Sequence, residues 1–473
     1  MSMLDSGPRA GSPSAGAPVA TPAGRESLAL LEGFGDAMRA RLPRGEFLAL
    51  IDAARDRLHE RLADVYGDPY FAKLYYLKAS NYVIARYEYD QRHVHLVARP
   101  VTLMIDPSNA CQLGCPGCVH SANDAFTQAL DWPAGTMKLA TWETLLRNHG
   151  PFALNAVLYN YGEPLLNKRA PEFIERAHGY GMTTHLSTNL SLRFDCERFV
   201  AAGPDYVILS IDGLTQQTYG RFRKGGDLAL VLDNVRRMVA EKRRLGTTRP
   251  RLAWRFFPFE HNVHEVDDVM AAAEEIGVDQ LIIGTPFDVS QDDPSVRLTH
   301  CDKRGRYELG EARAPFPSAQ DLVVRDAHVE ALYAQSWSER AAGIPEQQAH
   351  PEAGTCVWLY YSMTADAVSR VMPCCISPST RKPLVYGRLD ESGATDHWNA
   401  GDFAESRLAF ADRAGFEAQR GRPRTEPEPW CASCPKRPPL TYGTPGGVQD
   451  LIALDSRDAL RAAKFWWSIA EWS

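Results

Sequence analysis

Three cysteines, Cys111, Cys115 and Cys118, stand in a C-x3-C-x2-C pattern. They follow the apolar run Val101–Ile105, and glycine and proline residues beside them keep the backbone bent, which predicts a loop at a strand end. Thiolates this closely spaced can face one point only if the loop curls around a metal or an iron–sulfur cluster. A structural zinc site has four protein ligands and would need His120 or a distant cysteine. Three ligands better suit a 4Fe-4S cluster with one open iron.

A second group of cysteines lies in the last quarter of the chain. Of the ten cysteines, three form the first array and two, Cys196 and Cys301, stand alone. The remaining five are Cys356, Cys374, Cys375, Cys431 and Cys434. Five thiols are enough for one four-ligand cluster and too few for two, so one of the adjacent pair at 374 and 375 is spare. A zinc ribbon with the same thiolates remains an alternative, because four cysteines suit zinc equally well.

Length and charge limit the class of protein. A chain of 473 residues can form two or three domains. The net charge of −7, without large blocks of either sign, argues against nucleic acid as the main partner. No apolar run is long enough to cross a bilayer and no signal sequence is evident, so we expect a cytoplasmic protein with no membrane partner. Cysteines in such a protein indicate ligation rather than disulfides.

The elements that must position these cysteines alternate between β-rich and helical patterns after residue 101. This alternation predicts βαβ units and a parallel sheet. The predicted strands are Val101–Ile105, Ala156–Tyr161, Thr183–Ser187, Tyr206–Ile211, Leu252–Phe257 and Gln280–Ile283. The predicted helices are Thr141–Asn148, Pro171–Tyr180, Cys196–Ala202, Leu228–Arg244 and Glu265–Ile276. Six such units make an α/β fold, a partial (β/α)6 TIM-like barrel whose strand-end loops converge on one mouth.

The remaining segments flank this barrel. Residues 1–25 are rich in Pro, Ala, Gly and Ser and predict a disordered leader. Residues 26–98 predict a helical N-terminal extension, with an apolar stripe that favours a cap on the barrel over a substrate lid. The barrel takes residues 99–287 and a bridging segment takes 288–350. We assign 351–440 to a small cysteine-rich auxiliary-cluster domain and 441–473 to a C-terminal helix.

The cysteine array and its place after the first strand resemble the radical S-adenosylmethionine (SAM) enzymes. In that family the free iron of a 4Fe-4S cluster holds the amino and carboxylate groups of SAM, and an electron from the cluster cleaves the sulfonium. The resemblance implies a 5′-deoxyadenosyl radical that takes a hydrogen atom from an unactivated C–H bond. Gly117 stands where the family usually has an aromatic residue, so adenine packing is expected from elsewhere.

Motifs at later strand ends extend the resemblance. After the second strand, Gly162 and Glu163 resemble the family's GGE motif, which receives the SAM amino group; Tyr161 replaces its first glycine. The third strand ends at Asn189, and the fourth ends in the segment that runs from Ser210 to Gly213.

The resemblance implies three kinds of contact for these strand ends. Asn189, Ser210 and Asp212 can hydrogen-bond the ribose hydroxyls of SAM. Arg255 on the fifth strand can form a bidentate pair with the methionine carboxylate. Main-chain groups of the last strand are expected to meet adenine.

The order of the later cysteines resembles the SPASM and shorter twitch extensions that hold auxiliary clusters. It implies Cys356, Cys374 or Cys375, Cys431 and Cys434 as ligands of a second 4Fe-4S cluster. The expected cofactors are therefore two 4Fe-4S clusters and SAM. The expected electron donor is an external flavodoxin- or ferredoxin-like reductase.

The expected substrate is a small polar metabolite, such as a sugar or aminocyclitol of a secondary or antibiotic pathway. Dehydrogenation, epimerisation and diol dehydration all begin with the same hydrogen abstraction and stay open. A radical SAM maturase of ribosomal peptides and a non-catalytic zinc-binding protein are the alternatives. Further candidates for catalysis or substrate contact are Cys196, Cys301, Tyr159, His185 and Glu260.

Overall fold

A computed structural model describes residues 42–66, 68–121, 133–285, 296–309, 325–350, 352–375, 385–389, 396–419 and 431. The predicted leader at 1–25, the predicted helix at 441–473 and Cys434 lie outside these residues.

One ten-stranded sheet organises the described chain. Its strands are β1 (Thr102–Ile105), β2 (Asn155–Val157), β3 (Thr183–Thr188), β4 (Tyr206–Ser210), β5 (Arg251–Phe256), β6 (Gln280–Ile283), β7 (Gly305–Glu308), β8 (Ser362–Ala365), β9 (Arg370–Met372) and β10 (Gly387–Arg388). Strands β1 to β6 are parallel and adjacent in chain order. Strand β7 pairs antiparallel with β6 at one edge, and β10 forms the other edge, so the sheet is not closed.

Helices follow most of the parallel strands. The described helices are α1 (Arg44–Tyr66), α2 (Pro69–Gln91), α3 (Leu139–His149), α4 (Ala170–Gly179), α5 (Cys196–Ala201), α6 (Gln216–Phe222), α7 (Leu228–Leu245), α8 (Val266–Ile276), α9 (Ala327–Ala334), α10 (Trp337–Ala341), α11 (Trp358–Tyr361), α12 (Gly401–Ala411) and α13 (Arg413–Gln419). Among the described helices, none combines the length and apolarity that crossing a bilayer requires. The alternation of strand and helix confirms the predicted partial barrel.

Strand β2 is shorter than predicted. It ends at Val157, whereas the sequence predicted a strand through Tyr161. The reason is the Asp106 carboxylate, which accepts hydrogen bonds from the backbone N–H groups of Asn160 at 2.7 Å and Tyr161 at 3.4 Å. These donors are therefore withdrawn from the sheet and held in a loop.

The two faces of the sheet differ in polarity. The side chain of Thr184 contacts His178 of α4 at 3.1 Å, so Thr184 faces the helices. Because side chains alternate along a strand, the other β3 residues Thr183, His185 and Ser187 lie on the opposite face, which we call the inner face. The strand registers place further polar residues on the inner face: Thr102, Asn155, Tyr206, Ser210, Arg255, Gln280, Ser362 and Thr364.

Helix α2 closes the amino ends of the first strands. The Lys78 ammonium donates to the carbonyl of Gly150 at 2.8 Å. The Asn81 amide donates to the carbonyl of Arg99 at 3.0 Å and accepts from the Arg99 N–H at 2.8 Å. These partners precede β1 and β2, so the N-terminal extension caps the sheet at the end opposite the cysteine loop.

The C-terminal segment is joined to the barrel sheet itself. Strand β8 pairs in parallel with β1, in the register Thr102 to Ser362 through Ile105 to Ala365. Strand β9 then returns antiparallel, so that β8 and β9 form a hairpin. The Trp398 indole N–H also donates to the Ala98 carbonyl at 2.9 Å. The cysteine-rich segment therefore shares a hydrogen-bonded sheet with the strand that carries the first cysteines.

We predict that Asn81→Ala lowers the free energy of unfolding by about 2–3 kcal/mol, because it leaves buried backbone groups at Arg99 and Phe152 without their amide partner. Chemical denaturation followed by fluorescence measures the change. The exposed control Glu60→Ala is expected to change stability by less than about 0.5 kcal/mol. Equal stability of the two variants would contradict the cap.

Candidate active site

The cysteine loop and the loop after β2 are in direct backbone contact. The Glu163 N–H donates to the carbonyl of Ala110 at 2.8 Å. A Cβ atom added at Gly162 would stand 1.5 Å from the carbonyl oxygen of Ser108, so only glycine permits this approach. The contact brings the predicted SAM-binding motif against the segment that begins the cysteine array.

Two further strand ends hold the cysteine loop. The Asn109 side chain accepts from the Ala367 N–H at 2.7 Å, beyond the end of β8. The Gln112 amide donates to the Asn189 side chain at 2.8 Å, beyond the end of β3. Further along, the Gly114 N–H donates to the carbonyl of Lys224 at 2.9 Å. Hydrogen bonds from the ends of β3 and β8 and from the segment after α6 thus hold the cysteine loop in place.

Glu163 is buried and braces the neighbouring strand end. One carboxylate oxygen accepts from the Thr188 hydroxyl at 2.7 Å and from the Leu165 N–H at 3.1 Å. The other oxygen accepts from the Asn189 N–H at 2.8 Å. Burial raises the pKa of Glu163 to about 7. The three hydrogen bonds show that both carboxylate oxygens of Glu163 have donors within the protein.

Polar donors reach two of the three sulfur atoms. The Asn189 side-chain amide lies 3.6 Å from the Sγ of Cys111. The Arg223 guanidinium lies 3.9 Å from the Sγ of Cys115, and its Nε is 2.6 Å from the Asp212 carboxylate. Because Asp212 also accepts from a backbone N–H, its two oxygens hold Arg223 and the β5 end in place. The predicted ribose contact of Asp212 stays a prediction.

The three thiols of the array share a buried environment. Burial raises the pKa of Cys111 and of Cys118 to about 12, and it also raises the pKa of Cys115. The charges of Cys115 and Cys118 raise the pKa of Cys111 further, so the three groups lie within electrostatic range of one another. Iron would relieve this cost, because ligation favours the thiolates. The donor set fits a cluster held by three cysteines.

Within the described ranges, no three His, Cys, Asp or Glu side chains stand in an arrangement that would hold a single metal ion. In a 4Fe-4S cluster each thiolate binds a different iron, so wider spacing is expected. His120, a possible fourth zinc ligand, has its Nε2 3.2 Å from the carbonyl of Tyr161.

Arg255 joins the ends of three neighbouring strands on the inner face. Its Nη2 lies 2.9 Å from the Ser210 hydroxyl and 3.3 Å from the Ser187 hydroxyl. Burial lowers the pKa of Arg255, and the nearby Tyr159 opposes that shift. The structure thus brings the predicted residues Tyr159, Ser210 and Arg255 together at the carboxyl end of the sheet.

The other sequence candidates are spread more widely. His185 lies on the inner face with its ring centroid 5.7 Å from that of Tyr206. Glu260 is exposed in the loop after β5. Cys196 is buried at the start of α5, which packs against α7, and Cys301 is half-buried before β7. The structure does not bring these two cysteines to the inner face.

The C-terminal cysteines that are described occupy two environments. The Tyr386 hydroxyl lies 3.4 Å from the Sγ of Cys431, and the charge of Cys374 also raises the pKa of this tyrosine. The carbonyl of Cys375 instead accepts from the Asn160 side chain at 3.2 Å, beside the loop after β2. Cys356 lies at the turn that begins α11.

Sequence reasoning missed Asp106 and Arg223. Asp106 ends the first strand, and burial raises its pKa to about 7 while backbone N–H groups of the loop after β2 oppose the rise. An acidic residue directly after a buried strand could have been noticed. Arg223 lies in a run of alternating basic residues, and nothing in that run distinguishes it from Arg221.

Parts of this chain are similar to known proteins. Residues 105–249 match the Radical SAM superfamily. A probable GTP 3′,8-cyclase of Methanocaldococcus jannaschii is 26% identical over 183 residues, which cover 37% of this chain and 56% of that protein. A pre-heme d1 synthase of Dinoroseobacter shibae is 25% identical over 256 residues, which cover 51% of this chain and 60% of that protein.

The chain therefore matches little more than half the length of these curated relatives. A crystal structure of Streptococcus suis SuiB bound to S-adenosylmethionine has a TM-score of 0.44 and 12% identity, covering 75% of this chain and 73% of that chain. The segment that matches the Radical SAM superfamily begins at Ile105 and contains the cysteine loop, the loop after β2 and the ends of β3 and β4. Residues 105–249 are therefore identified as a Radical SAM domain.

Proposed function

We propose that this protein is a radical SAM enzyme that takes a hydrogen atom from a small polar metabolite of the sugar or aminocyclitol class. The observation that carries the substrate class is the polar inner face of the sheet. Barrel interiors are ordinarily filled by branched apolar residues, whereas this face carries hydroxyl, amide, phenol and guanidinium groups. Such groups match a ligand with many hydroxyls.

The superfamily implies a 4Fe-4S cluster and SAM, which together supply one-electron cleavage of a sulfonium and a 5′-deoxyadenosyl radical. Cys111, Cys115 and Cys118 would hold this cluster. Asn189 and Arg223 would donate to two of its thiolates, as their distances to sulfur allow. Hydrogen bonds to the sulfur atoms are one of the means by which proteins set a cluster's potential.

Arg255 and the strand-end hydroxyls would receive SAM. The guanidinium remains the candidate partner of the methionine carboxylate, and Ser187 and Ser210 orient it from two neighbouring strands. Carbonyl groups in the loop after β2 can accept from the SAM ammonium, because Asp106 has turned this loop out of the sheet.

Two hydroxyls of β8 support a polar substrate site on the inner face of the sheet. Ser362 and Thr364 are almost fully buried, and within the described residues their hydroxyl oxygens have no hydrogen-bond partner. A buried polar group left unsatisfied costs about 1–3 kcal/mol. A bound polyol or water would supply the missing partners. The hairpin that carries these residues also leads to Cys374 and Cys375.

We assign a second, auxiliary 4Fe-4S cluster to Cys356, Cys374, Cys431 and Cys434, with Cys375 spare. The shared neighbourhood of Cys374 and Cys431 at Tyr386 supports this choice. A cluster with four thiolate ligands can accept or relay one electron. Dehydrogenation, epimerisation and diol dehydration stay open, as do the cytoplasmic location and a flavodoxin- or ferredoxin-like electron donor.

Replacing Cys118 with alanine tests the first cluster. We predict that the anaerobically purified variant loses one cluster's iron and sulfide, and that 5′-deoxyadenosine formation with SAM and dithionite falls to the rate without protein. The control Cys301→Ala is expected to keep the iron content of the wild type, because Cys301 lies outside both cysteine groups. Bound zinc without sulfide in the wild type would instead establish the zinc-binding alternative.

Glu163 predicts a pH dependence of stability. Burial raises its folded pKa from 4.5 to about 7, so folding takes up a proton in this window and the free energy of unfolding falls as pH rises through it. Glu163→Gln stays neutral and is expected to lack this contribution, which is at most about 3 kcal/mol. Unfolding curves at pH 4 and pH 8 measure the difference. Glu60→Gln should follow the wild type; parallel profiles for all three proteins would contradict the prediction.

Label transfer tests the substrate class. We predict that perdeuterated free sugars or aminocyclitols, offered as a panel without any peptide, include one that transfers deuterium to 5′-deoxyadenosine, detected by mass spectrometry. The matched relatives named for GTP and heme d1 chemistry support a small-molecule panel. Turnover only with a leader-containing peptide would favour the peptide maturase instead.

The label-transfer assay also tests the proposed substrate contact of the β8 hydroxyls. Thr364→Val keeps the shape of the side chain and removes its hydroxyl, so kcat/KM for the substrate found in the panel should fall about tenfold. SAM cleavage without substrate should be unchanged. Thr247→Val, in the loop before β5, serves as the matched control. Equal kcat/KM values for the two variants would exclude Thr364 from substrate contact.

A further inference from the structure

A phenol stands at the proposed auxiliary site. The Oη of Tyr386 lies 3.4 Å from the Sγ of Cys431, with the phenol as donor. The same oxygen lies 2.5 Å from the hydroxyl of Ser406 on α12. Tyr386 is 7% exposed and Ser406 is fully buried, so these contacts are shielded from water.

The backbone and ring of Tyr386 are both held in place. Its N–H donates to the carbonyl of Val371 on β9 at 2.8 Å. Met372, the next residue, ends β9, and the chain then turns to Cys374. Its ring packs edge-on against Phe403 with centroids 5.1 Å apart and an interplanar angle of 89°. The phenol is therefore fixed by β9 on one side and by α12 on the other.

The direction of the hydrogen bonds follows from counting protons. A phenol carries one proton, so it can donate either to Ser406 or to Cys431. A thiolate is charged and is the stronger acceptor, and hydrogen bonds to charged groups are about twice as strong as neutral ones. Ser406 then donates to the phenol oxygen, which makes the phenol a better donor to sulfur.

We propose that Tyr386 donates a hydrogen bond to the Cys431 thiolate of the auxiliary cluster and thereby raises the reduction potential of that cluster, with Ser406 as the positioning residue. The inference rests on the auxiliary site proposed above. Reduction adds negative charge to the cluster and its thiolates, so a donor at sulfur stabilises the reduced state more than the oxidised state. Electron acceptance by the cluster is made more favourable.

The test uses the full chain with Cys111, Cys115 and Cys118 changed to alanine, so that the auxiliary cluster is the only one present. Iron and sulfide are counted first, and the midpoint potential is then measured by a redox titration followed by electron paramagnetic resonance. In this background Tyr386→Phe is expected to lower the midpoint potential of the auxiliary cluster by about 59 mV. For a one-electron couple this shift corresponds to about a tenfold change in the reduction equilibrium. Ser406→Ala should give a smaller shift in the same direction.

The matched control is Tyr307→Phe. Tyr307 lies on β7, at the opposite edge of the sheet from β10, and its hydroxyl donates to the Lys303 carbonyl at 2.7 Å. This variant should keep the potential of the background. Equal potentials for Tyr386→Phe and Tyr307→Phe, with the iron retained, would overturn the role of Tyr386 and leave the auxiliary site standing.

Absence of iron from the background chain, or zinc in its place, would overturn the proposed auxiliary site and this inference with it. If Tyr386→Phe loses iron while Ser406→Ala retains it, the midpoint potential of Ser406→Ala becomes the test, because this variant keeps the phenol in place. A potential equal to that of the background would then overturn the proposal, and a lower one would support it.

Discussion

The carboxylate of Asp106 joins the two loops on which the site depends. It stands at the end of β1, where the cysteine loop begins, and it takes the backbone N–H groups that follow β2. A buried carboxylate of this kind is costly unless it is hydrogen-bonded, so the loop after β2 must stay turned toward it. Gly162 can then pass against Ser108, and Glu163 can reach the end of β3. One interaction thus aligns three strand ends.

The sheet extends this alignment to the C-terminal segment. Because β8 pairs with β1 in parallel, the hairpin that leads to Cys374 is registered against the strand that leads to Cys111. A radical enzyme must hold its reacting groups in a fixed geometry while excluding water, and a continuous hydrogen-bonded sheet provides that rigidity. The proposed auxiliary site and the first cysteine loop are therefore parts of one framework.

Local patterns predicted the barrel well. The parallel strands stand out as short β-rich runs between helical patterns, and five of the six were placed within about two residues, with β2 the exception. The end of β2 was wrong because a side chain from another strand, Asp106, takes its N–H groups. Helix α6 was missed because it is short and polar, and its start depends on the cap at Thr215.

Long-range contacts could not be predicted in the same way. The pairing of β8 with β1 joins segments about 260 residues apart, and no local pattern encodes it. Arg223 is one of several basic residues, and only folding shows that Asp212 directs it to Cys115. The cysteine spacings suggested which thiols act together, whereas Tyr386 emerged only from its hydrogen bond to β9 and its contacts with α12.

Cys111, Cys115 and Cys118 are proposed to hold a cluster with one iron left open for SAM. Electron paramagnetic resonance of the reduced wild-type protein, recorded with and without SAM labelled with nitrogen-15 in its amino group, tests this proposal most directly. We predict that SAM changes the cluster spectrum and that coupling to the labelled nitrogen appears. An identical spectrum with and without SAM, and no coupling, would show that SAM does not bind an open iron of this cluster.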